Sequence, residues 1–321
     1  MNDPTAFALR VARRGYRSFR PAPVGPPHPE QLITGQAASD LIRDRLESGR
    51  PSLIGRLGAT ELDTLLNYRA IQAPGSAAQK AYRFVTGRSE AFWWYKPNAW
   101  RMRDWSGFFP IEDVYLERFA ELMLDDVPEF DVLGSWRAGE AAIPDLLRSA
   151  TRINLSDLEP YYHDDPWSEA LEGRTVLVIH PFEASIRAQY ARHELLFSDP
   201  RVLPAFELKT VRAVQSIAGT PTPYRDWFDA LDHMRAEIEA TDFDVAIVGA
   251  GAYGLPLSAH VKRLGKQAVY LGGQTQLLFG IRGQRADANP RAAALANEYW
   301  VRPRDDERPA NYRAAEGGSY W

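Results

Sequence analysis

The chain has 321 residues, 45% of them hydrophobic and 25% charged, enough to bury a full core in one large domain or two small ones. A formal net charge of −4 gives no overall attraction to nucleic acid. With no cysteine, disulfides, thiolate metal sites and cysteine nucleophiles are excluded together. No apolar run reaches the roughly eighteen residues a membrane span needs, and no apolar core precedes a small-residue cleavage site. The expected location is the cytoplasm.

Residues 4–20 are basic, with Arg10, Arg13, Arg14, Arg17 and Arg20. Phe7, Val11 and Arg14 share one helical face, with Leu9, Ala12, Tyr16 and Phe19 close to it, although Gly15 weakens the helix. Such a segment suits peripheral contact with an anionic membrane. The plainer reading is an arm packed on its own domain or on a second subunit of a homo-oligomer. Residues 21–29 are too rich in proline for a helix and read as a linker. The division expected is therefore arm and linker at 1–29, one α/β domain at 30–303, and a tail at 304–321.

Within the domain, a helix fits 36–48, a strand runs into a loop at 51–58, and a helix at 59–68 buries Leu62, Leu65 and Leu66. Residues 82–109 are dense in aromatics, which suit a core or partner surface, or else stacking on a sugar ring. Beyond 115 the pattern alternates. Helices are expected at 115–125, 139–148, 167–171, 183–196 and 222–240, and strands at 130–134, 152–155, 175–180, 207–211 and 245–249. Strands separated by helices predict a Rossmann-like, mostly parallel sheet covered on both faces. Residues 285–321 lack periodicity and read as an irregular tail lying over the body.

The sharpest local signal is Asp244-Val-Ala-Ile-Val-Gly-Ala-Gly-Ala-Tyr-Gly-Leu-Pro-Leu. A short β-branched run leads into Gly249, Gly251 and Gly254, a G-x-G-x-x-G turn that carries Tyr253 and opens a helix near Leu255. Helix amides and the positive dipole end then face an anion such as a diphosphate. The helix ends at Gly265, and a strand follows at 267–271. A dinucleotide site places an acid at the end of that strand to bind ribose. Here stands Tyr270-Leu-Gly-Gly-Gln-Thr-Gln, without an acid, leaving Gly272 and Gln274 as the loop's contribution. That counts against NAD(P) without excluding it, and an NAD(P)-dependent oxidoreductase built on the same turn stays an alternative. A glycine turn with no ligand is the plain alternative.

Arg56-Leu-Gly-Ala-Thr-Glu also follows a strand and opens a helix. Arg56 suits a phosphate or carboxylate, and Glu61 suits a base, a metal ligand or an ordinary helix-end acid. His180 ends another strand and suits a general base, a phosphate donor or a loop hydrogen bond. Ser185 has no G-x-S-x-G around it and makes no nucleophile elbow. Trp136, Glu140 and Arg187 are the expected rim on the acceptor side.

Two of these segments resemble the glycosyltransferases of the GT-D fold. Leu53-Ile-Gly-Arg-Leu-Gly-Ala-Thr-Glu-Leu is similar to that family's I-x-R-[FY]-G-D-G-E-[FL] block. The stretch 245–273 is similar to its late strand, glycine turn, helix and strand, in the same order. The resemblance implies transfer of a sugar from a nucleotide diphosphate, often UDP, to a glycan or lipid-linked acceptor in polysaccharide assembly. Donor contacts would fall to Arg56, Gly58, Gly249, Gly251, Tyr253, Gly254, Gly272 and Gln274, and catalysis to Glu61 and His180. Two departures bear on a divalent metal, Mn²⁺ or Mg²⁺: Ala59 and Tyr270 stand where the family carries acids. A metal would then rest on Glu61 and Asp63, or Arg56 would neutralise the diphosphate instead. A nucleotide-binding scaffold without transfer activity is the third reading.

Overall fold

A computed structural model describes residues 3–321. Helices α1 (Asp3–Phe19) and α2 (Gln36–Glu47) precede β1 (Ser52–Gly55) and α3 (Ala59–Gln72). The aromatic stretch forms α4 (Ala77–Val85) and α5 (Lys96–Ser106), followed by α6 (Asp113–Asp126). Then come β2 (Val132–Ser135), β3 (Thr151–Asn154), β4 (Thr175–His180), α7 (Glu183–Tyr190) and β5 (Glu207–Arg212). The body ends with α8 (Trp227–Glu239), β6 (Val245–Val248), α9 (Gly254–Arg263), β7 (Gln267–Tyr270) and α10 (Thr275–Leu278).

The seven strands make one sheet in the order β3-β2-β1-β7-β6-β4-β5, and every pairing is parallel. Strand residues alternate between two cores. Leu53, Leu133, Leu177, Ile179 and Val248 face α3, α6, α8 and α9. Ile54, Val132, Val176, Val178 and Ile247 face α2, α7 and the C-terminal segment. Burial on both faces is why the inner strands read as continuous apolar runs rather than alternating ones, while the edge strands β3 and β5 are only partly buried. The expected Rossmann-like α/β architecture is thus the observed one.

Three elements differ from expectation for local reasons. The helix expected at 139–148 is only a 3-10 turn over Ala138–Ala142, because Pro144 lacks the amide a continuing helix needs. The helix expected at 183–196 stops at Tyr190. That expected at 222–240 starts at Trp227, where Asp226 caps it by accepting from the Asp229 amide at 2.9 Å. The arm is helical as expected but packs on a different face. Ala6 and Arg13 are buried, and Arg13 donates to the Ser89 carbonyl and Glu90 with its guanidinium 4.5 Å from the Phe84 ring centre. Phe7 and Val11 point outward.

Candidate functional site

The carboxyl ends of β1, β7, β6 and β4 open into one cleft of about 450 Å³. Neighbouring strands β6 and β4 send their following helices, α9 and α7, to opposite faces of the sheet. That divergence leaves the crevice in which open parallel sheets bind ligands.

The glycine turn forms the floor. The Gly249 amide donates to the Ile179 carbonyl at 2.9 Å, and a Cβ at position 249 would lie 2.6 Å from His180 Cδ2 and 2.7 Å from the Gly272 oxygen. Gly251 has φ +54°, and a Cβ there would approach the Ser106 carbonyl to 2.8 Å. At Gly254 a Cβ would be 2.1 Å from Tyr270 Cε2. All three glycines therefore let the protein's own groups close around the turn. Gly254 does not line the cleft: Tyr270 lies beneath the turn, donating to the Gly251 carbonyl at 3.3 Å. The place where a dinucleotide site keeps its ribose-binding acid is filled by this buried phenol.

Two helix ends point into the cleft without side-chain caps. The N-cap of α9 is Tyr253, whose side chain makes no capping bond, and that of α3 is Gly58, which has no side chain to cap with. Among the described residues, the amides of Ala250, Gly251 and Ala252 donate to no protein acceptor. The free amides and the positive end of α9 give the cleft a field suited to an anion, whereas the end of α3 already faces the Glu61 carboxylate.

Arg56 and Glu61 supply the charge. The Arg56 guanidinium lies 4.7 Å from the ring centre of Trp136, which is oriented by its Nε1 donating to the Leu57 carbonyl at 3.0 Å. The other lining arginine, Arg285, is paired with Glu316. Among the described residues, Arg56 is the lining cation without a carboxylate partner, and Glu61 the lining carboxylate without a cationic one. Glu61 is 6% exposed and accepts from Thr60 Oγ1 at 2.9 Å through Oε2. Thr60 also bonds Ser106 Oγ. Because the Thr60 proton is spent on Glu61, Ser106 must donate to Thr60, so a directed hydroxyl chain ends on one carboxylate oxygen.

His180 has a narrower role than a general base. Its Nδ1 accepts from the Phe182 amide at 2.9 Å, and burial pushes its pKa down to about 3. The ring is neutral with its proton on Nε2, so it offers the cleft a donor and no basic nitrogen.

The other expected residues divide plainly. Gly58, Trp136, Gly249, Gly251, Tyr253 and Gly272 line the cleft with Arg56, Glu61 and His180. Tyr253 is structural: its ring stacks on Trp227 at 4.7 Å and its hydroxyl meets Ser216 at 3.2 Å. Gln274 turns away and donates to Glu159 at 2.8 Å. Arg187 pairs with Glu183 at 3.1 Å outside the cleft. Glu140 is fully buried outside the cleft lining, accepting from the Ser135 hydroxyl and the amides of Trp136 and Arg137. Asp63 lies outside the cleft between Arg101 and Arg137, at 3.1 and 3.0 Å. Glu61 and Asp63 therefore do not converge, and among the described residues no three metal-ligating side chains come together. The donor set does not fit a two-carboxylate metal clamp.

Of the further lining residues, Trp105 belongs to the aromatic stretch singled out in the sequence and the others carry no sequence signal. Trp105 and Ser106 arrive from the end of α5, turned in by Gly107 at φ +76°. Gln215 and Ser216 follow β5, and Tyr320 and Trp321 come from the tail. Trp321 is held by Nε1 donating to the Glu307 carbonyl, and Glu307 is itself fastened to Ser185 on α7.

No family model matches the chain, and no curated protein or solved structure is a match.

Proposed function

We propose that the chain is a sugar transferase that holds a nucleotide diphosphate sugar, with UDP-sugars the first donors to test. The observation that carries this reading is the pairing of Arg56 and Glu61 in one cleft, each without a protein counter-ion, beside the uncapped end of α9. Arg56 and the free amides hold the diphosphate. Glu61 takes the proton of the acceptor hydroxyl at Oε1, the oxygen that Thr60 leaves open. The acceptor oxygen bonds to the anomeric carbon as the bond from that carbon to the diphosphate breaks. The electron pair leaves with the diphosphate, where Arg56 and the amides meet the growing charge. His180 contributes its Nε2 proton as a hydrogen bond to a phosphate or sugar oxygen.

Calorimetric titration with UDP, GDP and TDP sugars, with and without Mn²⁺, tests the donor assignment. Binding of at least one is expected, and silence from all of them refutes it. Glu61→Gln then separates a transferase from a nucleotide-binding scaffold. The transferase loses turnover while binding persists; a scaffold has no turnover to lose.

A further inference from the structure

Helix α1 uses one face to hold the body and leaves the opposite face without a partner. Ala6 and Arg13 are buried against α4, with Arg13 fixed by Ser89, Glu90 and the Phe84 ring. Across the helix, Phe7 is 61%, Val11 55% and Phe19 87% exposed. Along one flank of this apolar face run Arg10, Arg14 and Arg17, at the three- and four-residue spacing that aligns them on a helix. Among the described residues, none of these three, nor Arg20, has a carboxylate within salt-bridge distance. Residues 3–20 hold five arginines and one aspartate, a formal +4 in a chain of net −4. Positive charge is thus concentrated where the apolar side chains are exposed.

We propose that this face of α1 docks on an anionic lipid surface. Phe7, Val11 and Phe19 would enter the headgroup boundary, and Arg10, Arg14 and Arg17 would lie against lipid phosphates. The arrangement favours lipid over a protein groove because the cations lack carboxylate partners along a continuous flank, and a charged planar surface meets all of them at once. Arg13 acts differently: it is turned inward and keeps α1 on the body, so the docked helix carries the cleft with it. The inference does not depend on the donor or the reaction at the cleft.

Co-sedimentation of the full chain with phosphatidylcholine vesicles, alone or mixed with phosphatidylglycerol, tests it. Binding is expected only with phosphatidylglycerol present and should weaken as salt rises. Each exposed arginine changed to glutamate should cost roughly fivefold or more in affinity. Phe7→Ser with Val11→Ser should reduce binding about tenfold while leaving the melting temperature unchanged, since both side chains are exposed in the folded protein. Equal binding to neutral vesicles, or binding indifferent to these variants, overturns the proposal. So does self-association that the same variants abolish, because the occupant is then a second copy of the chain.

Discussion

Gly58 and Glu61 stand so close that a Cβ at position 58 would lie 1.9 Å from Glu61 Oε2 and 2.4 Å from its Cδ. The carboxylate folds back over the end of its own helix, and only a glycine leaves it room. Gly58→Ala therefore moves the carboxylate rather than the backbone, because the far end of a flexible side chain is what must give. Stability should fall by about 1 kcal/mol, the difference between a tolerated and a poor N-cap. Turnover should fall on the order of a hundredfold, as expected when a catalytic group is displaced by about an ångström. Calorimetry with the donor and thermal melting separate the two effects. Equal losses of folding and turnover would count against the assigned role of Glu61.

His180 makes the protein sensitive to acid through folding rather than through catalysis. Its pKa is pushed down to about 3 by burial, whereas the unfolded chain binds a proton near the ordinary value of about 6.5. Between those values the unfolded state holds more protons, so this contribution is complete above about pH 6.5 and is lost as pH falls toward 3. At about 1.4 kcal/mol per unit the full loss is several kcal/mol. His180→Asn keeps an acceptor for the Phe182 amide and a donor for the cleft. Urea midpoints at pH 7 and pH 5 should differ less in this variant than in the wild type. A turnover profile with a limb near pH 6 that disappears in His180→Asn would instead make His180 the base.

Arg56→Lys tests how the diphosphate is held. The guanidinium both spreads over Trp136 and presents a planar fork, neither of which an ammonium reproduces. Loss of charge-assisted hydrogen bonds worth about 1.5–3 kcal/mol should weaken UDP binding by roughly ten- to a hundredfold. A nucleoside without phosphate should bind as before. Calorimetry with UDP and uridine, compared as a ratio, reads this directly. An unchanged ratio would remove Arg56 from the phosphate site.

The centre of the sheet was legible because β1, β2, β4, β6 and β7 are buried on both faces and are followed by a glycine, a loop or a helix start; Val245 to Val248 before Gly249 is the clearest case, whereas the edge strands β3 and β5 are only partly buried. The glycine turn was legible as a turn but not in its use. That Gly254 makes room for Tyr270, and Gly251 for the Ser106 carbonyl, depends on groups far away in sequence. Ser106 could not be placed in the cleft from a stretch that offers only aromatic density. Arg13 was hidden for a related reason: hydrophobicity marked Phe7 and Val11 as the packing face, but α4 and the turn after it offer Phe84 and the Ser89 carbonyl, which suit a guanidinium. Glu140 misled in the opposite sense, since a polar residue after a strand end also serves when the loop itself needs an acceptor.

Glu140→Ala puts that last distinction to the test. The carboxylate accepts the amides of Trp136 and Arg137 at 3.0 and 2.9 Å, takes the Ser135 hydroxyl, and lies 3.6 Å from Arg152. Removing it strands several buried donors and a partly buried cation at once, and should cost about 3 kcal/mol of stability. Glu140→Gln keeps one oxygen for the two amides but turns an NH₂ group toward Ser135 and Arg152, so a smaller loss is expected. Trp136 follows this carboxylate through its amide, so the loop carrying it should loosen in the alanine variant, and donor affinity should weaken with stability. A direct contact with the acceptor predicts a different pattern: both variants would melt like the wild type, and only the KM for the acceptor would rise. Thermal melting measured beside acceptor kinetics decides between them, because Glu140 cannot be saturated by its own loop and also be free to bind a sugar hydroxyl.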